Sequence, residues 1–482
     1  MKRKEALYLM GGLAGSMISG GLPALRSFPG DATVKPYPQI DGLVTSDLYE
    51  VRANGKKIWT EKLKTSMNLD ELPDWFTSRP YTAVQQEIHT AMFEGSGRVK
   101  VEIAVAEPVH EVMIRPLSRS IRPKISCNKI EFEMTAPDRL YIEADDLPEI
   151  CIFAEPNLEE VYQEGDENVL FFGPGIHEPG IITMQDNQIL YLAPGSVVYG
   201  GIEASGAKNI AITGSGILDS KYQYGIQDGE YQFRQMVNID NTENIRVEGV
   251  TIRNGVNWIN TLTRCKNILY ENVKVISFGN SGDGINPVGS SDVVIRNCFL
   301  RCTDDCIAVK TPESDMIAEN ITVENNIMVG YAFSDGFTIG FETRGSEIKN
   351  VLVRDCDILQ SRGGSRVDGH SAFSIVCDGP AVVHNITFDN LRVERAEEKL
   401  FELIVTDGKK YGDDEPGNIR DILVKNIDWM VESPISLRGY REGNEVRNIR
   451  FENCEVNGRP LSQVVDTVIE KGAYVSGIEI ID

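Results

Sequence analysis

The chain has 482 residues, of which 48 are Lys or Arg and 72 are Asp or Glu, so its formal net charge is -24. Its apolar content of 41% is far above that of a disordered chain. The acidic excess argues against nucleic acids and other polyanions as partners, because like charges repel. Beyond the first 25 residues, no stretch approaches the ~18 consecutive apolar residues of a membrane span, so we expect none in the mature chain.

Residues 1–25 have the pattern of a secretory signal. A basic start, MKRK, precedes an apolar run rich in glycine. This pattern predicts that the protein is exported, either to the periplasm or to the medium.

The nine cysteines do not predict a disulfide framework, because their number is odd and no CxxC pair occurs. Cys298, Cys356 and Cys454 recur in the matching contexts RNCFL, RDCDI and ENCEV, which predicts buried, stacked thiols that act as small apolar residues. Cys302 and Cys306 are four residues apart without a neighbouring histidine, which argues against a zinc site. We therefore expect no metal and no cofactor.

Residues 30–165 alternate short strand patterns with turn signals such as Ala53-Asn54-Gly55. This predicts an antiparallel β-sandwich, followed by a linker around residues 155–168. We expect the sandwich to cap the end of the structure that follows, whose open strand edge needs cover. The clearest predicted strands are Leu48–Arg52, Val99–Val105, His110–Arg115, Lys129–Met134 and Arg139–Ala144.

Residues 166–482 contain a loose repeat, in which Asn or Asp followed by a β-branched residue opens a strand. The openings are 23 to 36 positions apart, and no helical pattern intervenes. A unit of this size cannot bury its own apolar face, so neighbouring units must stack. The predicted fold is all-β: a right-handed parallel β-helix preceded by the sandwich. The openings are Asn209, Asn244, Asn267, Asp292, Asn320, Asn350, Asn385, Asp421 and Asn448.

A second recurring strand brings acidic residues into one column. The strands align at Ile285, Ile307, Phe337 and Phe373. In the first three of them an aspartate stands two positions before the aligned residue: Asp283, Asp305 and Asp335. Asp304 directly precedes Asp305. Adjacent parallel strands are ~4.8 Å apart, so at least one pKa in such a column rises. The arrangement predicts a proton donor and a base on either side of one bond, as glycoside hydrolysis requires. For a single aspartate, capping of a solenoid turn is the alternative.

Asp304 and Asp305 are sequence neighbours, and strand alternation would direct their side chains to opposite faces. Both can serve one cleft only if the chain bends at Asp304. Rung spacing alone favours the ~5 Å carboxyl separation of a retaining enzyme over the ~6.5–9.5 Å of an inverting one. The offset of Asp304 can lengthen the separation between the carboxyl groups, so the rung spacing leaves open whether the reaction retains or inverts configuration.

The GDGIN segment at Asp283, the DDCIAVK segment at Asp304 and the 21-residue gap between these aspartates resemble glycoside hydrolase family 28, the polygalacturonase group. The segment LYLAPGSVVYGG behind a β-sandwich is similar to the related family 49, the dextranase group. The resemblance implies an inverting hydrolase in which Asp304 is the general acid and Asp283 and Asp305 activate water. It also places Lys310 on the lysine that follows the acid pair.

The sequence departs from the pectin-cleaving pattern at three places. Asp335 stands where that group has the histidine of Gly-His-Gly, the Arg-Ile-Lys motif that grips the uronate is missing, and Asn286 replaces an acid. A carboxylate-bearing polymer needs cationic partners, so we expect a neutral or non-pectic sugar. The competing possibility is that cations gather near the site. The candidate substrate-binding residues are Asp335, Lys310, His370, Trp258, Asn286 and Arg344, and the other candidate cations are Arg362 and Arg366.

Two other functions stay open. A polysaccharide lyase on the same fold would need a Lys, Arg or Tyr base and often a metal, whereas acidic residues dominate this column. A non-catalytic carbohydrate-binding β-helix would tolerate loss of the aspartates. The expected partner in every case is a carbohydrate, and the sequence leaves the sugar, the linkage, endo or exo action and the oligomeric state open.

Overall fold

The computed structural model describes residues 32–64, 87–157, 161–220, 226–227, 230–231, 235–255, 257–278, 281–331, 334–362, 370–408, 411–413 and 415–482. The predicted signal at residues 1–25 and the candidate cation Arg366 lie outside these ranges. Within them, no helix has the length and apolar character needed to cross a membrane.

The strands before Glu155 form two sheets that share the long strand Glu87–Val105. Buried apolar side chains of both sheets pack into one cluster, which is the packing of a sandwich. One pairing departs from the predicted antiparallel arrangement: Ile150–Glu155 runs parallel to Glu87–Val105. The other strands are Thr33–Pro36, Tyr49–Ala53, Lys56–Ile58, Thr60–Lys64, Val112–Arg115, Lys124–Ser126, Lys129–Ala136 and Asp138–Ala144.

From Val169 onward the chain coils into a parallel β-helix, as the repeat predicted. Its first sheet has twelve parallel strands, and we call it the ladder sheet. Its strands are Val169–Phe172, Ile189–Leu192, Lys208–Gly214, Glu243–Glu248, Lys266–Glu271, Ser291–Arg296, Ile317–Glu324, Glu347–Arg354, Val382–Asp389, Asn418–Lys425, Val446–Glu452 and Val475–Ile481.

Two further stacks of strands alternate along the chain. They share their first strands, Gly175–Thr183 and Ser196–Ser205, and then separate. The stack that we call the covered sheet comprises Ile217–Asp219, Thr251–Arg253, Lys274–Ile276, Phe299–Cys302, Ile327–Gly330, Asp357–Gln360, Arg392–Val393, Asp428–Trp429 and Glu455–Val456. The stack that we call the site sheet comprises Val237–Asp240, Asn260–Thr263, Ile285–Val288, Ile307–Thr311, Phe337–Thr343, Phe373–Cys377, Phe401–Val405, Ile435–Arg438 and Ile469–Lys471.

The remaining elements are short. A two-stranded hairpin pairs Ile226–Gln227 with Glu230–Tyr231, and Arg459–Pro460 folds back antiparallel on Glu455–Val456. A 3-10 turn spans Leu117–Arg119. The α-helix Leu461–Val468 buries one side, Leu461, Val464 and Val468, in the β-helix core near its C-terminal end.

The repeated Asn and Asp residues stack into a ladder. All nine adopt a left-handed backbone, with φ between +55° and +61°, a conformation that Asn and Asp tolerate better than most residues. Asn350 donates to the side-chain oxygen of Asn320 at 3.0 Å and accepts from Asn385 at 2.6 Å. These residues lie within their strands rather than opening them, which corrects the predicted position: Asn320 is the fourth residue of Ile317–Glu324.

The core of the β-helix is a single apolar cluster that extends along its whole length. Cys298, Cys356 and Cys454 belong to it, are free thiols and are buried, which confirms the prediction of buried thiols. Aromatic rings fill its C-terminal turns: the Phe373 and Phe401 centroids are 4.7 Å apart.

The N-terminal strands pack along the side of the β-helix, so the expectation that they cap its end was wrong. Phe153 and Ile88 share one apolar cluster with Phe299, Ile327 and other residues on successive turns of the covered sheet. The reason is the pattern of the covered sheet itself, whose outward face carries buried apolar and charged side chains that need partners.

Buried ion pairs join the two parts. Lys274 Nζ lies 2.7 Å from Glu155 Oε2, and both side chains are almost completely buried. Arg253 bridges Glu61 and Asp219, at 2.7 Å from each. Further pairs along the same face are Arg119 with Asp357, Arg115 with Glu394 and Arg395 with Glu143.

Candidate active site

The predicted column of acidic residues is confirmed as a strand register. Ile285 pairs with Ile307, Ile307 with Phe337 and Phe337 with Phe373. Backbone bonds extend this register to the aspartates: Gly284 N donates to the carbonyl of Asp305 at 2.8 Å, and Cys306 N donates to that of Asp335 at 2.9 Å.

The acid pair lies in a turn, between the strands Phe299–Cys302 and Ile307–Thr311. Strand alternation therefore does not apply there, and the required bend exists. Asp304 Oδ1 accepts a hydrogen bond from the Asp305 backbone N–H at 3.1 Å. Asp305 Oδ1 accepts one from the Asp335 backbone N–H at 2.9 Å. The first bond holds the Asp304 carboxyl group within its own turn, and the second ties the Asp305 carboxyl group to the next turn of the β-helix.

Asp283, Asp304 and Asp305, which we call the acid cluster, interact strongly. Burial raises the pKa of Asp283 well above its ordinary value, and the negative charge of Asp304 raises it further. Burial and then Asp304 also raise the pKa of Asp305, to about 8. Lys310 opposes both shifts but does not cancel them. The cluster therefore retains a proton at neutral pH, so an acid and a base can coexist in it.

Asp335 is completely buried and belongs to a network of hydroxyl groups. Its Oδ1 accepts from the Ser371 backbone N–H at 2.6 Å, and its Oδ2 accepts from the Ser374 hydroxyl. The Ser374 and Thr338 hydroxyl oxygens are 2.7 Å apart. Burial first, and then the charge of Asp305, raise the pKa of Asp335 well above its ordinary value. Asp335 therefore adds a further buried carboxyl group next to the acid cluster.

Lys310 lies between two carboxyl groups and an aromatic ring. Its Nζ is 2.9 Å from Glu342 Oε2 and 3.8 Å from Asp283 Oδ2. The same nitrogen is 4.8 Å from the centroid of the Trp258 ring. Burial disfavours the charged form of Lys310, but Glu342 and Asp283 outweigh it and raise the pKa. The structure thus brings the predicted residues Lys310 and Trp258 to Asp283.

Glu342 is the site residue that the sequence interpretation missed. It follows the buried run Phe337–Gly340 in one strand of the site sheet and is only partly buried itself. The one available signal was an acidic residue near the end of a strand that is otherwise apolar or uncharged.

The other predicted residues differ in their relation to the acid cluster. Asn286 is in the site sheet, one residue after Ile285, fully buried, and neither its amide nitrogen nor its oxygen has a hydrogen-bond partner among the described residues. His370 is partly buried and directly precedes Ser371, which binds Asp335. Arg344 instead donates from Nε to the carbonyl oxygen of Gly412 at 3.0 Å, so this contact directs it to the 411–413 segment.

Sequence comparison identifies the family. The family model "Glycosyl hydrolases family 28" matches residues 195–471, more than half of the chain. The chain belongs to glycosyl hydrolases family 28. The match includes all three residues of the acid cluster and the whole site sheet from Val237 to Lys471.

Two curated relatives align with part of the chain. Exopolygalacturonase B of Aspergillus niger is 24% identical over 244 residues, which cover 46% of this chain and 54% of that protein. An exopolygalacturonase of Zea mays is 26% identical over 250 residues, covering 48% of this chain and 58% of that protein. The alignments thus span somewhat more than half the length of these curated relatives.

Solved structures support the fold. Dex49A from Penicillium minioluteum superimposes with a TM-score of 0.59 at 16% identity, covering 93% of this chain and 96% of that one. The exopolygalacturonase from Thermotoga maritima superimposes with a TM-score of 0.51 at 17% identity, covering 65% of this chain and 84% of that one. The family 28 chain described here therefore shares the β-helix fold with both.

Proposed function

We propose that the protein is a glycoside hydrolase that uses Asp283, Asp304 and Asp305 to cleave a glycosidic bond with inversion. The observation that carries this proposal is the acid cluster itself. Three carboxyl groups on two adjacent turns interact strongly enough to hold a proton at neutral pH, and glycoside hydrolysis needs a protonated and an ionised carboxyl group together.

Asp304 is the proposed general acid. Asp304 interacts electrostatically with both Asp283 and Asp305, so the three groups share the retained proton, and the reaction requires that proton on Asp304. In the reaction, Asp304 gives its proton to the glycosidic oxygen as the bond to the anomeric carbon breaks. An ionised Asp283 or Asp305 takes a proton from water as the water oxygen bonds to that carbon.

We propose that the substrate is a neutral or non-pectic carbohydrate. Polygalacturonan carries one carboxylate per residue, and binding it calls for available cations. At the acid cluster, the nearby cation Lys310 is 4% exposed and already pairs with Glu342, and buried Asp335 adds another acid. The two relatives are named exopolygalacturonases, so galacturonan is the substrate with which neutral carbohydrates must be compared.

The remaining predictions enter as proposals. The substrate-binding residues around the acid cluster are Trp258, Asn286, Asp335, Lys310 and His370. Residues 30–165 form a β-sandwich domain and residues 166–482 the catalytic β-helix. The protein is exported under the direction of residues 1–25.

The test is a product screen on neutral and uronate-containing polysaccharides and oligosaccharides, analysed by mass spectrometry. We expect products heavier by one water from neutral glycosides and none from the Asp304→Asn variant. Products lighter by water, with an unsaturated end, would indicate a lyase. Binding without turnover by both proteins would indicate a carbohydrate-binding β-helix. Hydrolysis confined to galacturonan would overturn the proposed substrate class alone.

A further inference from the structure

A bulge in the site sheet places Glu342 at Lys310. Val309 pairs with Ile339 and Thr311 with Thr343, so the three residues Gly340–Glu342 stand opposite the single residue Lys310. Bulges of this kind redirect side chains and are frequent next to active sites. Glu342 itself has φ +60°, a left-handed conformation that costs energy for a residue with a long side chain.

The contact made by the bulge leaves Lys310 with little capacity for a further anion. Its Nζ is 2.9 Å from Glu342 and 3.8 Å from Asp283, and the Trp258 ring lies 4.8 Å away on another side. Its side chain is 5% exposed, whereas that of Glu342 is 16% exposed. One positive charge thus faces two carboxyl groups, and the more accessible member of the pair is the acid.

We propose that Glu342 is a specificity-determining residue that holds Lys310 as an internal counterion and so excludes sugars carrying a carboxylate next to the acid cluster. The inference rests on the proposed function in taking this region as the sugar-binding site. It goes further by assigning the discrimination to one residue. A uronate carboxylate at this point meets an acid rather than an available ammonium group, and such like-charge juxtaposition is an effective means of rejection.

The experiment measures binding rather than turnover, so it does not depend on the identity of the cleaved bond. The Asp304→Asn protein and the Asp304→Asn/Glu342→Gln protein are titrated calorimetrically with an α-1,4-linked galacturonate trisaccharide and with the neutral galactose trisaccharide. Removing the Glu342 charge should tighten galacturonate binding by roughly tenfold or more and change binding of the neutral sugar by less than about threefold.

Three further variants separate this role from a structural one. Glu342→Asp restores the carboxylate and should return galacturonate binding toward that of the parent. Adding Lys310→Met to Glu342→Gln should abolish the gain, because the released cation is then missing. Glu347→Gln removes a carboxylate that pairs with Lys349 on the ladder sheet and should change neither affinity.

Several results would overturn the inference. One is unchanged or weaker galacturonate binding after Glu342→Gln in a protein with an unaltered circular dichroism spectrum. Another is a gain of equal size with Glu347→Gln, which would reflect net charge alone. Failure of the proposed function is distinguishable, because it appears as a lack of hydrolysis by the wild-type protein in the product screen.

Discussion

At the scale of single residues, burial separates aspartates that look alike in the sequence. Asp283 and Asp335 are 2% and 0% exposed, whereas Asp304 and Asp305 retain more exposed surface. Asp304 is the charged neighbour with the largest influence on the pKa of both Asp283 and Asp305. Because the three carboxyl groups are coupled, the proton that the acid cluster retains is shared among them, and the proposed mechanism uses the form in which Asp304 holds it.

Replacing Asp304 by Asn should lower kcat by about 10²- to 10⁴-fold, because general-acid catalysis contributes on that order. Substrate affinity should change little, since Asn preserves the shape and the acceptor for the Asp305 N–H. Steady-state kinetics together with calorimetry of substrate binding check both parts. A variant that keeps more than about a tenth of the wild-type kcat would remove Asp304 from the proposed role.

Activity should fall as the pH rises through about 8. The pKa of Asp305 is raised to about 8 by burial and by Asp304, with Lys310 and Glu342 also facing it. A raised carboxyl pKa means that the proton is retained below that pH and lost above it. Because the groups are coupled, this proton belongs to the acid cluster rather than to Asp305 alone, and its loss leaves Asp304 without a proton to donate. The measurement is kcat/KM from pH 4 to 10, and a flat profile between 7 and 9 would contradict the predicted limb.

Asp335→Asn should stabilise the protein at neutral pH. The folded state raises the pKa of Asp335, so native Asp335 binds a proton that the unfolded chain releases above pH ~4. Stability is thus lost as pH rises from ~4 toward the raised pKa, at up to about 1.4 kcal/mol per pH unit. Asn avoids this loss and keeps partners for Ser371 and Ser374. Urea denaturation at pH 5 and pH 7 should show the variant's advantage growing with pH, and an advantage that shrinks would contradict this account.

At the scale of elements, periodicity carried most of the information. The repeated Asn and Asp residues indicated the stacked turns. The isoleucines two positions after Asp283 and Asp305 predicted the register of the site sheet, and the pairing of Ile285 with Ile307 confirms it. Local patterns can predict these features because each turn repeats the same burial pattern.

The bulge at Gly340–Glu342 was not predictable in the same way. It depends on how one strand pairs with the strand before it, and neither strand alone contains that information. The contact between Glu342 and Lys310 was missed for this reason. The sequence did not predict the turn that carries Asp304 and Asp305. It indicated only that the chain must bend there if both side chains are to reach one cleft.

The ladder gives a prediction at this scale. Asn350→Ala should lower the free energy of unfolding by about 1–2 kcal/mol, because Ala pays the left-handed backbone cost and loses the bonds to Asn320 and Asn385. Asn350→Gly keeps the conformation accessible and should be less damaging, although it loses the same bonds. Chemical denaturation of the two variants measures their free energies of unfolding. A lower value for Asn350→Gly than for Asn350→Ala would exclude the backbone explanation.

At the scale of the whole molecule, the N-terminal strands and the β-helix share a buried, charged interface. The sequence indicated both parts from strand patterns, but it contains no periodic signal for side-by-side packing. The interface charges are scattered: Glu61 and Glu155 are far in sequence from Arg253 and Lys274, with which they pair. Only the folded chain brings them together.

Breaking this interface should be costly. Glu155→Gln leaves the fully buried Lys274 ammonium without its counterion, and removing one partner of a buried ion pair costs about 3–5 kcal/mol. Burial already lowers the pKa of Lys274, so release of its proton as the pH rises should relieve part of the loss. The matched control is Glu415→Gln, which removes an exposed pair with Arg441 and should cost less than about 1 kcal/mol. Equal melting temperatures for the two variants would contradict the buried-interface account.

The measurement that tests the central claim most directly is a proton NMR time course of the first product formed from the best neutral substrate. The proposed acid–base roles of Asp304, Asp283 and Asp305 predict that the new reducing end first appears with the anomeric configuration opposite to that of the cleaved bond, and that Asp304→Asn gives no signal. A first product with the retained configuration would contradict these roles. An unsaturated product would contradict hydrolysis itself.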